Sequence, residues 1–121
     1  MKVMILLSLF SLNAFALEAD YQATWCKANN GIWKGPSVTI RDPYTGKVEG
    51  YIDCLTQSHA FEVDFDTKWQ ESLTQALWYA MNTGKRAGIL LIVSPNGTGE
   101  KKLRDTIKHY GLPVDVITTP K

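Results

Sequence analysis

His59-Ala60-Phe61-Glu62-Val63-Asp64-Phe65 changes character at nearly every step. His59, Phe61, Val63 and Phe65 fall on one face of an extended chain, and Ala60, Glu62 and Asp64 on the other. The stretch reads as a strand with one apolar and one carboxylate face. Just beyond it, Thr67-Lys68-Trp69-Gln70 has the form of a capping box and Gly84 closes the pattern, which predicts one helix from Lys68 to Thr83. Trp69, Leu73, Ala76, Leu77, Ala80 and Met81 make its apolar stripe, while Lys68, Glu71, Gln75, Tyr79 and Asn82 recur on the neighbouring face. Ala87 to Val93 is then a continuous apolar run of strand length, expected where a strand is covered on both sides.

Working outward, Ala19 to Asn29 carries Tyr21, Trp25 and Ala28 at helical spacing and stops at Asn30-Gly31. Ser37 to Arg41 and Val48 to Leu55, joined by Asp42-Pro43-Tyr44-Thr45-Gly46, read as a β-hairpin. Ser94 to Gly99 is a polar loop, Glu100 to Tyr110 a helix and Val114 to Thr118 a last strand. The order α-β-β-β-α-β-α-β predicts an α/β fold with a single mixed sheet covered by helices.

The 121 residues suit one domain, so a single-domain protein and not a multidomain enzyme is expected. Lys2, the apolar run Val3 to Phe10 and Ala14-Phe15-Ala16 have the order of a signal peptide, with cleavage expected after Ala16. That makes residues 1–16 a signal peptide and 17–121 the single domain of an exported protein, periplasmic or secreted. The run is short for a bilayer span and no later segment is longer, so no membrane anchor is expected. Loss of Lys2 turns thirteen basic and twelve acidic residues into equal numbers, leaving composition with no electrostatic argument for nucleic acid or an anionic membrane.

Cys26 and Cys54 are the only cysteines. In an oxidising compartment one disulfide between them is expected, worth about 3 to 4 kcal/mol on the chain-entropy model. A zinc pair is the competing reading, but neither cysteine has a further Cys or His at zinc-site spacing. Their spacing is not Cys-x-x-Cys, which argues against a thiol oxidoreductase.

Glu49, Asp53, Glu62, Asp64, Asp66 and Glu71 fall close together, whereas Lys85, Arg86, Lys101, Lys102, Arg104 and Lys108 cluster later. If Ile52 and Cys54 share the apolar face of Phe61 and Val63, Asp53 joins the face of Glu62 and Asp64. Three carboxylates would then converge on neighbouring strands. Such a group repels itself, and Mg²⁺ or Mn²⁺, which prefer oxygen ligands, would neutralise it, activate a water and stabilise charge on a phosphate. A solvated strand face is the alternative.

This arrangement resembles the PD-(D/E)XK nuclease superfamily, whose helix, three strands, helix and fourth strand parallel Ala19 to Val93. The resemblance implies a restriction-endonuclease-like core and metal-dependent hydrolysis of nucleic-acid phosphodiesters, with Asp53 and Glu62 as metal ligands and Asp64 in support. Gln75-Ala76-Leu77-Trp78-Tyr79 has the Gln-x-x-x-Tyr form of the exonuclease-like branch, which implies that Gln75 and Tyr79 position the strand. Asp53-Cys54-Leu55-Thr56, the His59 to Phe65 stretch, Lys68-Trp69 and Gln75 to Tyr79 are together similar to small exported bacterial proteins assigned to the superfamily. The family's Lys, two residues after the Glu, is replaced by Asp64; Lys68, one turn on, is the candidate to take over its role beside the water, with a surface ion pair to Asp64 or Glu71 as the bland alternative. The second reading is a catalytically degenerate, nuclease-fold binding or scaffold domain in the periplasm.

Among the remaining candidates, His59 is expected as a partly buried, hydrogen-bonded imidazole rather than a general base. Lys101, Lys102 and Arg104 are candidates to meet phosphates, and Trp33, beside Lys34, to stack on a base. Ser94 to Gly99 lacks the Gly-Lys-Ser/Thr ending of a Walker loop.

Overall fold

The computed structural model describes residues 18–121. The expected signal peptide lies outside them. Helix α1 occupies residues 18–28. A 3-10 turn (Pro36–Val38) leads into β1 (Thr39–Arg41) and β2 (Val48–Tyr51), followed by β3 (Cys54–Leu55) and β4 (His59–Phe65). A second 3-10 turn (Asp66–Lys68) runs into α2 (Trp69–Thr83), then β5 (Arg86–Val93), α3 (Gly99–Tyr110) and β6 (Val114–Pro120).

The main sheet has the order β3-β4-β5-β6, with β3 antiparallel to β4 and the β4-β5 and β5-β6 pairs parallel. The fold is therefore α/β with a mixed sheet. Because the strand order advances in one direction from β4 to β6, right-handed crossovers carry α2 and α3 over the same face. Ala60, Ile89, Leu91 and Val114 pack there against Leu73, Ala76, Ala80 and Leu103. On the opposite face Val63, Leu90 and Ile92 meet Tyr21 and Trp25 of α1. Each fully buried Ile or Leu contributes about 1.5 to 3 kcal/mol, so the run in β5 is the main source of core stability. This double coverage is what its unbroken apolar reading anticipated.

Three expectations need correction. The sheet is not single: β1 and β2 form a separate two-stranded ladder. The expected strand Val48 to Leu55 is broken at Ile52-Asp53, which lie outside both β2 and β3. Ile52 turns into the core with Ala60 and Ala76, while Cys54 packs on the other side of the sheet with Cys26 and Phe61. Nor is there a capping box, since no side chain caps α2; the 3-10 turn supplies its first turn instead. Gly84 ends α2 in the left-handed region, φ 68°, as read.

Along α2, Met81 departs from the expected apolar stripe and is exposed, whereas Ser72 and Tyr79 are buried. The Cys26–Cys54 disulfide is present, with Cα atoms 5.5 Å apart, and ties α1 to β3. Such a bridge fits an oxidising environment. Among the described residues no helix is long and apolar enough to cross a membrane.

Candidate metal centre

Strand β3 pairs with β4 only through Cys54 with Phe61 and Leu55 with Ala60. Beyond Phe61 the outer edge of β4 has lost its strand neighbour, and the Val63 N–H needs an acceptor. Asp53 provides it: the Val63 N–H donates to Asp53 Oδ2 at 2.8 Å. The break after Tyr51 therefore brings Asp53 to the carboxylates of β4. The convergence holds, but through this edge contact and not through the strand alternation expected for Ile52 and Cys54.

Glu62 and Asp64 project from β4 towards α2, and ligand oxygens of Asp53, Glu62 and Asp64 all lie within 4.8 Å of one another. Glu62 is 2% exposed and its Oε1 has no hydrogen-bond partner among the described residues. Asp64 accepts from Ser72 Oγ at 2.6 Å. Burial, followed by the charge and hydrogen bond of Asp53 and the charge of Asp64, pushes the Glu62 carboxyl up to about 10. Burial raises Asp64 to about 6, against the Ser72 hydrogen bond and the nearby Lys68 charge. Asp53 is raised as well, chiefly by burial, with the Val63 N–H pulling the other way.

An acceptor oxygen buried without a partner costs about 1 to 3 kcal/mol, more if charged. Without a metal, a proton shared between Glu62 and Asp53 relieves the repulsion. A hard cation satisfies both needs, and opposite oxygens around such an ion stand about 4 to 5 Å apart, which matches the observed spread. The donor set is all carboxylate, suited to Mg²⁺, Mn²⁺ or Ca²⁺ and not to soft metals. A buried acidic triad able to hold a metal ion is thus built into β4 and its edge.

The other expected site residues are placed less tightly. Lys68 is exposed at the end of the 3-10 turn and makes no ion pair among the described residues, so neither Asp64 nor Glu71 holds it. Its charge still reaches Asp64. Gln75 is exposed and, with Glu49, Trp78 and Tyr79, lines a cleft of about 370 Å³. Tyr79 is buried; burial first, then the carboxylates of Glu62, Glu49 and Asp53, raises its hydroxyl. Its ring reaches Gly50 so closely that a Cβ at Gly50 would collide with Tyr79 Oη.

Trp78 Nε1 donates to Glu49 at 3.0 Å, a contact the sequence did not suggest. Asp66, part of the acidic run, stands apart from the triad: it is 2% exposed and accepts from the N–H and hydroxyl of Ser94, pinning the loop that leads to α3. The serine partners, Ser72 for Asp64 and Ser94 for Asp66, carried no signal in the sequence, although Asp64 itself was expected to support the metal. On α3, Lys101 pairs with Asp105 and Arg104 with Glu100, so only Lys102 of the three expected phosphate contacts lacks a partner among the described residues. Lys34 Nζ sits 4.4 Å from the Trp33 ring centroid, occupying one face of the expected base-stacking residue.

Comparison with protein-family models, with curated proteins and with solved structures finds no match to this chain. Fold and site thus define the class directly: an α/β protein with a mixed sheet and a buried acidic triad.

Proposed function

We propose that this chain is an exported metal-dependent nuclease of the PD-(D/E)XK type, hydrolysing phosphodiesters of nucleic acid. The observation that carries the reading is the buried Glu62, whose carboxylate lies with those of Asp53 and Asp64 and whose Oε1 has no hydrogen-bond partner among the described residues. Asp53 and Glu62 hold Mg²⁺ or Mn²⁺ and Asp64 supports it. When bound, such an ion lowers the pKa of a water and stabilises charge on a phosphate. Asp53, fixed by the Val63 N–H, and Asp64, fixed by Ser72, keep their oxygens aimed at one point. Lys68, exposed and with no ion-pair partner among the described residues, swings its ammonium to the phosphate side, in place of the Lys that the family carries where this chain has Asp64. Gln75 and Tyr79, on the cleft beside Glu49, position the strand. The helix, strands and mixed sheet from α1 to β5 agree coarsely with the restriction-endonuclease-like core.

The second reading, a degenerate binding or scaffold domain, is favoured by one observation: Asp64 is engaged by Ser72, and no ammonium lies within ion-pair distance of the triad among the described residues. Calorimetric titration with Mn²⁺ and digestion assays separate the two. The nuclease binds the ion and degrades DNA or RNA with Mg²⁺ or Mn²⁺, and Glu62→Gln loses both; equal activity in wild type and variant rejects it. A chain that binds no cation and cleaves nothing is the degenerate domain.

A further inference from the structure

On the face of β4 opposite the carboxylates, Ser58 Oγ lies 2.6 Å from His59 Nδ1, and His59 Nε2 lies 2.7 Å from Asp115 Oδ2. We propose that Ser58, His59 and Asp115 form a metal-independent nucleophilic serine centre that hydrolyses small uncharged carboxylic esters. This centre uses none of the acidic triad and stands independently of the nuclease reading.

The order hydroxyl, imidazole, carboxylate is what activates a serine, and it is defined by geometry and roles, not by position in the chain. When Nε2–H donates to Asp115, Nδ1 carries the lone pair that accepts the Ser58 hydroxyl proton. The two ring nitrogens exchange the duties they have in the serine proteases, which the chemistry permits. Register makes the contact: His59 opens β4, Asp115 lies near the start of β6, and the intervening β5 brings both to the same end of the sheet. The imidazole stacks on Phe61, ring centroids 5.0 Å apart, which fixes its plane. Phe61 in turn lies over Gly88, where a Cβ would collide with its ring.

Arg86 binds Asp115 from the solvent side. Its hydrogen bond, followed by that of His59, holds the Asp115 carboxyl down to about 2, so the carboxylate stays ionised and oriented. His59 is 20% exposed and Ser58 is on the surface, so the base is sheltered while the nucleophile is open to substrate. Both border a groove of about 430 Å³ with Trp25, Phe61 and Ile117 as apolar walls and Asn29 and Asn30 on its rim. Among the described residues no charged side chain lines it, so it favours a neutral ester over a phosphodiester.

In the acylation step Ser58 Oγ bonds to the ester carbonyl carbon as its proton passes to His59 Nδ1. The bond to the alcohol oxygen then breaks and the alcohol leaves with that proton. Water attacks the acyl-serine, gives its proton to His59, and the acid departs as the proton returns to Ser58 Oγ. The backbone N–H groups of Gln57 and Ser58 donate to no described residue, and in this proposal they serve the carbonyl oxygen as it becomes negative. Asp115 is a positioning residue, acting through the imidazole.

The test treats the full chain with a fluorophosphonate and, separately, with p-nitrophenyl acetate, both in EDTA. The expected result is a phosphonyl adduct on Ser58 with loss of fluoride, and ester hydrolysis that Ser58→Ala abolishes. His59→Gln slows labelling by about 100-fold or more. Asp115→Asn lowers kcat for the acetate ester per folded molecule, the folded fraction being read from thermal unfolding, because a smaller folded fraction alone would lower apparent kcat at unchanged KM. Asp115→Glu, which keeps a carboxylate for His59, recovers part of the rate. Thermal unfolding shows whether each variant is folded, and Ser58→Ala, which alters one exposed hydroxyl, keeps the test open if His59→Gln unfolds. A folded wild type left unlabelled at Ser58, or labelled as fast in His59→Gln, overturns the proposal.

Discussion

Val63 and Asp53 share a hydrogen bond of 2.8 Å that does two things at once: it satisfies the open edge of β4 and fixes a carboxylate beside Glu62. The two roles separate by substitution. Asp53→Ala leaves the Val63 N–H without an acceptor and should cost about 1 to 3 kcal/mol in chemical denaturation, together with cation binding. Asp53→Asn retains an acceptor oxygen, so it should recover most of that stability while Mn²⁺ affinity stays lost. Equal stability of the Ala and Asn variants would show that the edge bond contributes little.

Without divalent cations, stability should fall as pH rises. The folded state holds Glu62 up to about 10 against an ordinary value of 4.5, and Asp64 up to about 6 against 3.8. Raised carboxyl groups favour the protonated folded form, so their contribution is complete below the ordinary values. It is lost progressively as pH climbs from about 4 towards 10. Mn²⁺, which replaces protons on these oxygens, should offset the loss and bind more tightly at higher pH. Thermal unfolding at pH 5 and pH 9, each in EDTA and in Mn²⁺, checks this; identical melting curves with and without the ion at pH 9 would count against the site.

Reduction of Cys26–Cys54 should lower stability by about 3 to 4 kcal/mol on the chain-entropy model. Because Cys54 follows Asp53 directly and β3 is two residues long, the reduced protein should also bind Mn²⁺ more weakly. Calorimetry before and after reduction reads the second effect, and unchanged affinity would mean that β3 stays in place without its tether.

Gly50→Ala should destabilise the protein by about 1 to 3 kcal/mol, since the new methyl meets Tyr79 Oη. Combining it with Tyr79→Phe, which removes that oxygen, should restore part of the loss. Additive effects in the double variant would show that the two residues do not press on each other.

The regular elements were largely legible in the sequence. The alternation from His59 to Phe65, the unbroken run in β5 and the glycine ending α2 each follow from local rules of side-chain direction and backbone freedom. What escaped was set by partners distant in sequence. Ile52 and Cys54 look like neighbours on one strand face, yet the break between β2 and β3 sends them to opposite sides of the sheet. Tyr79 reads as a polar residue of a helix flank and Ser72 carries no signal of its own, but both are buried because α2 lies over the carboxylates and the hairpin. Asp66 belongs by composition to the acidic run and by contact to the Ser94 loop. The gathering of Asp53, Glu62 and Asp64 was visible as an acid-rich stretch, whereas the unpaired Oε1 that distinguishes it from a solvated face needed three dimensions.

Strand β4 carries acid on one side and an imidazole stacked on phenylalanine on the other, a division that depends wholly on parity. One residue inserted or deleted between Ala60 and Glu62 would turn Glu62 and Asp64 towards the tryptophan of α1, leaving α2 to cover aromatic rings. Selection can therefore adjust either side of this ribbon by substitution, but any change in its length has to come in pairs.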